Sequence, residues 1–236
     1  MHLERLENKE AALKAAGLAL TALFQHPGPI LLLFSGGSLF ELFTYLNGAA
    51  LSQRFTIGMI DERYETDPNV NNFSQFYATA FAKVAAQRGA GFIDTKVQAG
   101  EDLESYARRM EAGWKDWAAQ NPNGNIIATL GMGPDGHTAG IMPYPENKAL
   151  FKRLFEDVKP WVVGYNAEGK HQYPNRATAT LPFLQAKVDA AIVYVTGENK
   201  RAALERVLAA TGSLAETPAR IWEEMRSIQI FTDIKA

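Results

Sequence analysis

Short runs of apolar residues alternate along the chain with longer segments in which apolar side chains recur every three or four positions. The runs of strand length are Ile30–Phe34, Phe55–Ile60, Ile126–Leu130, Trp161–Tyr165 and Asp189–Thr196. The first of them is apolar throughout, which is typical of a parallel strand covered on both faces. The alternation predicts an α/β fold, a mostly parallel sheet with helices on both faces.

The segments between these runs predict the helices. They cover residues 7–25, Leu39–Leu46, roughly Phe73–Gln87, Glu101–Ala119, Lys200–Leu208 and a short helix that begins at Pro218. In the fourth helix, large side chains at helical spacing are predicted to lie in the core: Leu103, Tyr106, Met110, Trp114 and Trp117. The last apolar run, Ile228–Phe231, predicts an edge strand.

Length and charge narrow the class of protein. With 236 residues, a single domain that spans residues 1–236 is expected. The formal net charge of −2 gives no support for a nucleic-acid partner or an anionic membrane surface. No apolar run reaches the roughly 20 residues of a membrane span. We therefore expect a cytoplasmic protein, a monomer or a small homo-oligomer.

Cysteine and histidine usage bears on metal chemistry. The sequence contains no cysteine, which excludes disulfides and thiolate ligands or nucleophiles. The four histidines are scattered without the spacing of metal ligands. We expect a site without a metal. One of the histidines, His171, lies in a polar loop and is expected at the surface rather than in catalysis.

The stretch after Ile126–Leu130 is the first candidate for chemistry. From Gly131 to His137 it reads Gly-Met-Gly-Pro-Asp-Gly-His, which forces a tight, irregular loop. Asp135 and His137 lie one residue apart in it. Taken alone, the Asp-Gly-His triplet is explained equally well by a solvated turn and by a functional site. Other parts of the chain are needed to choose between the two.

Three further strand ends carry glycines or charges: Ser35–Ser38, Asp61–Arg63 and Thr196–Lys200. Because the carboxyl ends of parallel strands share one edge of a sheet, these clusters and the Gly131–His137 loop are predicted to converge on one crevice. That convergence favours a functional site over four unrelated turns.

The Ser-Gly-Gly-Ser turn suits a phosphate, because glycines let the backbone approach an anion at a helix start. It matches neither a Walker A loop nor a dinucleotide-binding motif, which disfavours nucleotide binding. Lys200 and Arg176 are either solvated charges or the cations that a phosphate dianion requires. Arg63 can serve in the same way, or it can form an ion pair with Asp61.

His137 is the predicted general base, because a neutral imidazole can take a proton from water. Either Asp135 or Asp61 can orient the ring or stabilise its protonated form. The tight Asp-Gly-His spacing argues against a direct bond between Asp135 and His137, and it leaves Asp135 to support the loop.

Together these motifs resemble the 6-phosphogluconolactonases and their relatives, the glucosamine-6-phosphate isomerases. The matching segments, from about residue 30 to 208, are Ser35–Ser38, Asp61–Arg63, Asn72, Gly131–Ala139, Arg176–Thr178 and Thr196–Lys200. The resemblance implies a Rossmann-like α/β fold and a site for a sugar 6-phosphate that uses no cofactor or metal. In the lactonases it implies hydrolysis of 6-phosphoglucono-δ-lactone in the pentose phosphate pathway.

The resemblance also implies roles for individual residues. His137 is expected to activate water, with Asp135, Asp61 and Arg63 completing the catalytic group. The remaining residues are expected to bind the sugar and its phosphate: Ser35, Gly36, Gly37, Ser38, Asn72, Gly133, Arg176 and Lys200.

Two alternatives to a lactonase stay open. The isomerases carry a Glu five residues after the shared His, where this chain has Met142, and a Tyr where it has Arg63. Both differences favour the lactonase. Met142 in particular cannot transfer a proton through its thioether. Departures from the lactonase pattern at Leu39-Phe40 and Glu65–Asp67 leave room for a sugar-phosphate-binding protein without catalysis.

Overall fold

The structure, a computed structural model, describes residues 1–167 and 169–235. Its strands are β1 (His2–Arg5), β2 (Ile30–Phe34), β3 (Phe55–Met59), β4 (Asp61–Arg63), β5 (Gly91–Phe92), β6 (Asn125–Leu130), β7 (Val162–Asn166), β8 (Asn175–Ala179), β9 (Ala190–Val195) and β10 (Ile228–Thr232). Its α-helices are α1 (Lys9–Leu23), α2 (Asn72–Tyr77), α3 (Ala80–Gln87), α4 (Leu103–Gln120), α5 (Lys148–Phe151), α6 (Leu181–Lys187) and α7 (Arg201–Leu208). The 3₁₀ helices cover Gly37–Tyr45, Gly48–Ala50, Glu198–Lys200 and Pro218–Glu223, and a π-helix covers Lys152–Glu156.

The main sheet has seven strands in the order β1-β10-β9-β6-β2-β3-β5, and its neighbouring strands pair in parallel. The central strand β2 explains why both faces are covered. Leu31 and Leu33 pack into one core cluster, whereas Ile30, Leu32 and Phe34 pack into the other. Alternate side chains of a strand point to opposite faces, so a strand that is apolar throughout needs a core on each side. The predicted fold class is confirmed.

A second, antiparallel sheet corrects the prediction for the Trp161–Tyr165 run. This run and the segment at Arg176 form β7 and β8, which pair with β4 in the order β4-β8-β7. Only residues 167–174 separate β7 from β8, fewer than the dozen or more that a parallel crossover requires. The chain therefore returns antiparallel.

The assignment of Ile228–Phe231 to a sheet edge was wrong. This strand, β10, lies between β9 and β1. The covering strand β1 has one half-buried and three exposed residues, so it carries no alternating hydrophobic pattern that could predict it.

Two helix predictions also change in detail. The helix expected over Phe73–Gln87 breaks into α2 and α3, because Thr79 accepts a hydrogen bond from the Ala82 N–H at 3.1 Å and so begins a new helix. The segment after the Ser-Gly-Gly-Ser turn is a 3₁₀ helix, Gly37–Tyr45, rather than an α-helix. By contrast, Tyr106, Met110, Trp114 and Trp117 of α4 are buried as predicted, while Leu103 is only partly buried.

The 3₁₀ helix that follows the glycine turn packs directly on α1 at Gly17. A Cβ atom on Gly17 would lie 2.6 Å from Tyr45 Cβ, which is far inside van der Waals contact. We predict that Gly17→Ala lowers the melting temperature, although alanine is favoured over glycine by about 1 kcal/mol within a helix. Leu18→Ala, on the exposed side of the same helix, is the matched control. Equal melting temperatures for wild type and Gly17→Ala would contradict this packing.

Candidate active site

The predicted convergence of the strand ends is observed. A cleft of about 280 Å³ opens at the carboxyl ends of β2, β3, β6 and β9. Among the residues predicted for the site, Asp135 does not line the cleft. The others do: Ser35, Gly36, Gly37, Ser38, Asp61, Arg63, Asn72, Gly133, His137, Arg176 and Lys200.

Asp135 lies behind His137 and holds its ring. The ring Nδ1 and the Asp135 carboxylate are 2.7 Å apart, and the same carboxylate oxygen accepts the backbone N–H of His137 at 3.1 Å. The expectation that Asp-Gly-His is too tight for this bond was wrong, because Gly136 adopts a left-handed φ of 93° that folds the loop back. With Nδ1–H donating to the carboxylate, Nε2 is left as the proton acceptor.

The charge state of Asp135 suits this arrangement. Burial by itself raises the pKa of the Asp135 carboxyl, but the hydrogen bond from His137 and the charge of its ring outweigh burial. The net pKa lies below the ordinary value, so Asp135 is a carboxylate at neutral pH. A carboxylate can accept the Nδ1–H of the ring and so fix the orientation of the imidazole.

Gly133 is required by close packing rather than by its own N–H group. That N–H donates to the His137 carbonyl at 3.0 Å and closes the loop. A Cβ atom at Gly133 would lie 2.2 Å from two atoms of the His137 ring. The absent side chain is therefore the space in which the imidazole sits.

A segment that sequence analysis did not assign to the site supports this loop from behind. Arg206 on α7 donates to the Asp135 carbonyl at 3.1 Å, and the Ala219 N–H donates to the Gly136 carbonyl at 3.0 Å. These are contacts between main-chain carbonyls and distant residues, for which the local sequence carries no signal.

Asp61 is paired with Arg176 and not with Arg63. The Arg176 Nη2 lies 2.9 Å from the Asp61 carboxylate, and both side chains are buried. Arg63 instead donates to the Val70 carbonyl at 3.1 Å and lies 5.6 Å from the centre of the Tyr173 ring. The pairing follows from the second sheet, in which β4 and β8 run side by side.

Glu62 lies inside the Asp-Glu-Arg motif and positions two residues of the cleft, a role that the sequence did not predict. Its fully buried carboxylate accepts the N–H groups of Asn72 at 2.6 Å, Phe73 at 2.8 Å and Arg63 at 2.8 Å. The Thr95 hydroxyl donates to it at 3.1 Å. Glu62 thus ties the start of α2 to β4 and sets the positions of Asn72 and Arg63.

Several buried polar atoms of the cleft have no hydrogen-bond partner among the described residues. They are Ser35 Oγ, Arg63 Nε, Asn72 Oδ1, Arg176 Nε and Arg176 Nη1. Buried polar groups are nearly always hydrogen-bonded in proteins. Their concentration at one cleft makes them available to a polar ligand.

Among the described residues that line the cleft, the cationic side chains are Arg63, Arg176 and Lys200, and the one carboxylate is that of Asp61. Lys200 follows Gly197, whose φ of 97° turns the chain at the end of β9. The Gly197 N–H is held by Asp233 at 2.9 Å. Burial lowers the pKa of Lys200 and Asp233 opposes that shift. The excess of positive charge suits a phosphate dianion.

His171, which was expected at the surface rather than in catalysis, is half-buried and also lines the cleft. The loop between β7 and β8 brings it there, and this hairpin was not predicted from the sequence.

The buried carboxyl of Glu62 generates a prediction about stability and pH. Burial raises its pKa from 4.5 to about 8, so the folded state binds more protons than the unfolded state between these values. The contribution of Glu62 to stability is therefore fully present below about pH 4.5 and is lost as the pH rises through about 8. We predict that Glu62→Gln removes this part of the pH dependence.

Urea unfolding near pH 5 and near pH 8 measures the effect. Wild type and the exposed control Glu205→Gln should lose more free energy of unfolding over that interval than Glu62→Gln does. The same pH dependence in all three proteins would show that Glu62 does not titrate in this range.

Comparison with known proteins agrees with this architecture. The family model for glucosamine-6-phosphate isomerases/6-phosphogluconolactonase matches residues 6–230. The 6-phosphogluconolactonase of Borreliella burgdorferi is 30% identical over 106 residues, or 45% of this chain and 41% of that protein. The rat 6-phosphogluconolactonase is 29% identical over 203 residues, which cover 80% of this chain and 73% of the rat protein. The chain thus spans less than half of the first relative and about three quarters of the second.

Solved structures share the fold at lower identity. The 6-phosphogluconolactonase of Shewanella baltica superposes with a TM-score of 0.77 and 18% identity, covering 98% of this chain and 97% of that one. The Trypanosoma brucei 6-phosphogluconolactonase gives 0.76 and 19% identity, covering 98% and 95%. None of the described helices is long and apolar enough to cross a membrane. With the match over residues 6–230, the chain belongs to the glucosamine-6-phosphate isomerase/6-phosphogluconolactonase family.

Proposed function

We propose that this protein hydrolyses 6-phosphoglucono-δ-lactone to 6-phosphogluconate, the lactonase step of the pentose phosphate pathway. The observation that carries the proposal is the Asp135–His137 pair, held at 2.7 Å beside a cleft rich in cations. A lactone ester needs a base to activate water, and a sugar phosphate needs positive charge to hold it. The relatives named above carry the same activity in their names.

Met142 supports the lactonase branch over the isomerase branch. The resemblance places a glutamate at this position in the isomerases, where it moves a proton during ring opening. Met142 is buried, with 1% of its surface exposed, among the apolar residues of the core. No proton can be transferred through its thioether.

The phosphate is assigned to the end of the cleft formed by the Gly36–Ser38 turn and Lys200. The positive φ of Gly37, 69°, shapes this turn at the start of a 3₁₀ helix, where main-chain N–H groups point outward toward an anion. Ser35 Oγ and Arg176 Nη1, which have no partner among the described residues, are buried donors at the same cleft.

Anchored in this way, the lactone carbonyl faces His137. The Nε2 atom takes a proton from water while the water oxygen bonds to the carbonyl carbon. Asp135 stabilises the imidazolium that forms, and Arg63 stabilises the oxyanion of the tetrahedral intermediate. As this intermediate collapses, the bond to the ring oxygen breaks and the imidazolium returns its proton to that oxygen. Asn72 and Gly133 shape the sugar end without taking part in proton transfer.

The proposal includes a setting for the enzyme. It acts in the cytoplasm as a single domain, a monomer or a small homo-oligomer, on a free sugar phosphate. It uses no nucleic-acid partner and no cofactor.

Hydrolysis of freshly prepared 6-phosphoglucono-δ-lactone, measured above its spontaneous rate, tests this function. We predict rapid turnover by wild type and a loss of about 10²-fold or more in kcat for His137→Ala, the range expected when a general base is removed. Binding of 6-phosphogluconate should persist in the variant, since its phosphate contacts remain. The exposed residue His2 provides the control His2→Ala.

Two other results would change the proposed function or the role of His137. If wild type binds 6-phosphogluconate but does not hydrolyse the lactone, the protein is a sugar-phosphate-binding relative. If His137→Ala turns over as fast as wild type, the enzyme stands but His137 is not its base.

A further inference from the structure

The loop that carries His171 is held in place at its base and at Lys170. The Ala167 N–H donates to the Pro174 carbonyl at 2.8 Å and so closes the base of the loop. Lys170 forms an ion pair with Glu146 at 2.7 Å and lies 4.3 Å from the centre of the Tyr144 ring. These contacts hold the loop against the rest of the protein, and His171 is half-buried on the cleft side of it.

One nitrogen of the His171 ring is already used. Its Nδ1 atom accepts the backbone N–H of Tyr173 at 3.1 Å. A neutral imidazole that accepts at Nδ1 must carry its proton on Nε2. Among the described residues, Nε2 makes no hydrogen bond, so the ring offers a single N–H donor. It cannot serve as a second base.

The surroundings of His171 keep the ring neutral. Burial lowers its pKa, and the nearby charges of Arg176, Arg63 and His137 lower it further, while the bond from Tyr173 opposes the shift only weakly. A neutral donor differs from the cations of the cleft, because it can polarise an uncharged oxygen without attracting the phosphate.

His171 lies near Arg63 in the cleft. Its ring packs against Tyr173 with centroids 6.0 Å apart, and Arg63 lies over the same Tyr173 ring. The Tyr173 ring thus contacts both His171 and Arg63, and these two residues line the cleft. Among the charges that act on His171, those of Arg63 and His137 belong to the side chains proposed to act on the lactone carbonyl, and that of Arg176 belongs to a proposed phosphate donor. Lys200 and the glycine turn are also assigned to the phosphate.

We infer that His171 is a substrate-contacting residue whose Nε2–H donates to the carbonyl oxygen of the lactone, opposite the attack directed by His137. This inference rests on the proposed function and extends it: the oxyanion is held by a neutral imidazole together with Arg63. The bond strengthens as the carbonyl oxygen gains negative charge, so it contributes mainly to kcat.

Three variants test the inference against wild type. His171→Ala removes the donor. His171→Gln keeps an N–H group at nearly the reach of Nε2. Gln172→Ala changes an exposed neighbour in the same loop and serves as the control. Each protein is assayed for kcat and KM on 6-phosphoglucono-δ-lactone, and its melting temperature is measured.

We expect kcat to fall about tenfold to 10²-fold in His171→Ala, near the lower end of the range for an oxyanion donor. His171→Gln should recover most of that loss, and Gln172→Ala should match wild type, with melting temperatures unchanged throughout. Recovery by glutamine separates a donor from a residue that only fills space.

Two outcomes would overturn the inference while leaving the proposed function intact. One is a His171→Ala variant as active as Gln172→Ala. The other is a His171→Gln variant as impaired as His171→Ala at an unchanged melting temperature. A wild type that fails to hydrolyse the lactone would instead overturn the proposed function, and this inference with it.

Discussion

Parallel pairing is the constraint on which the site depends. In the main sheet β2 pairs with β3 and β6, and β6 pairs with β9, all in parallel. Their carboxyl ends are therefore at one edge, and the loops that leave them must meet there. At Ile60 the chain leaves β3 and enters the second sheet as β4, which carries Asp61 and Arg63 over this edge. Arg176 on β8 then reaches Asp61 by antiparallel pairing.

Within this arrangement of strands, one set of buried polar contacts holds the elements together, and another holds the His137 ring. Arg176 is buried and joins β8 to β4 through one nitrogen, Nη2, which pairs with Asp61. Glu62 is buried and joins β4 to the start of α2. Asp135 is the carboxylate that holds the His137 ring, since it accepts the Nδ1–H of that ring. Because Gly133 has no side chain, the imidazole fits against the loop that carries it. The same loop thus carries the imidazole, the carboxylate that holds it and the space in which the ring sits.

Sequence patterns predicted what depends on periodicity and on the order of elements: the parallel sheet, the buried face of α4 and the convergence of four strand ends. They could not predict what depends on tertiary geometry. The Asp135–His137 bond needs the left-handed Gly136, and the place of His171 in the cleft needs the β7–β8 hairpin. The four donors on Glu62 come from residues up to 33 positions away. The strand β1 was not predicted, because most of its side chains are exposed and form no hydrophobic pattern.

The central claim is that the Asp135 carboxylate and the His137 ring act as one unit, and kcat of Asp135→Asn on 6-phosphoglucono-δ-lactone tests it most directly. Asparagine keeps the shape and an acceptor oxygen but removes the charge that stabilises the imidazolium. Hydrogen bonds to a charged group are worth about 1.5–3 kcal/mol, and about 1.4 kcal/mol corresponds to a factor of ten in rate. The account predicts a fall of about tenfold or more in kcat with KM nearly unchanged. An unchanged kcat would contradict it.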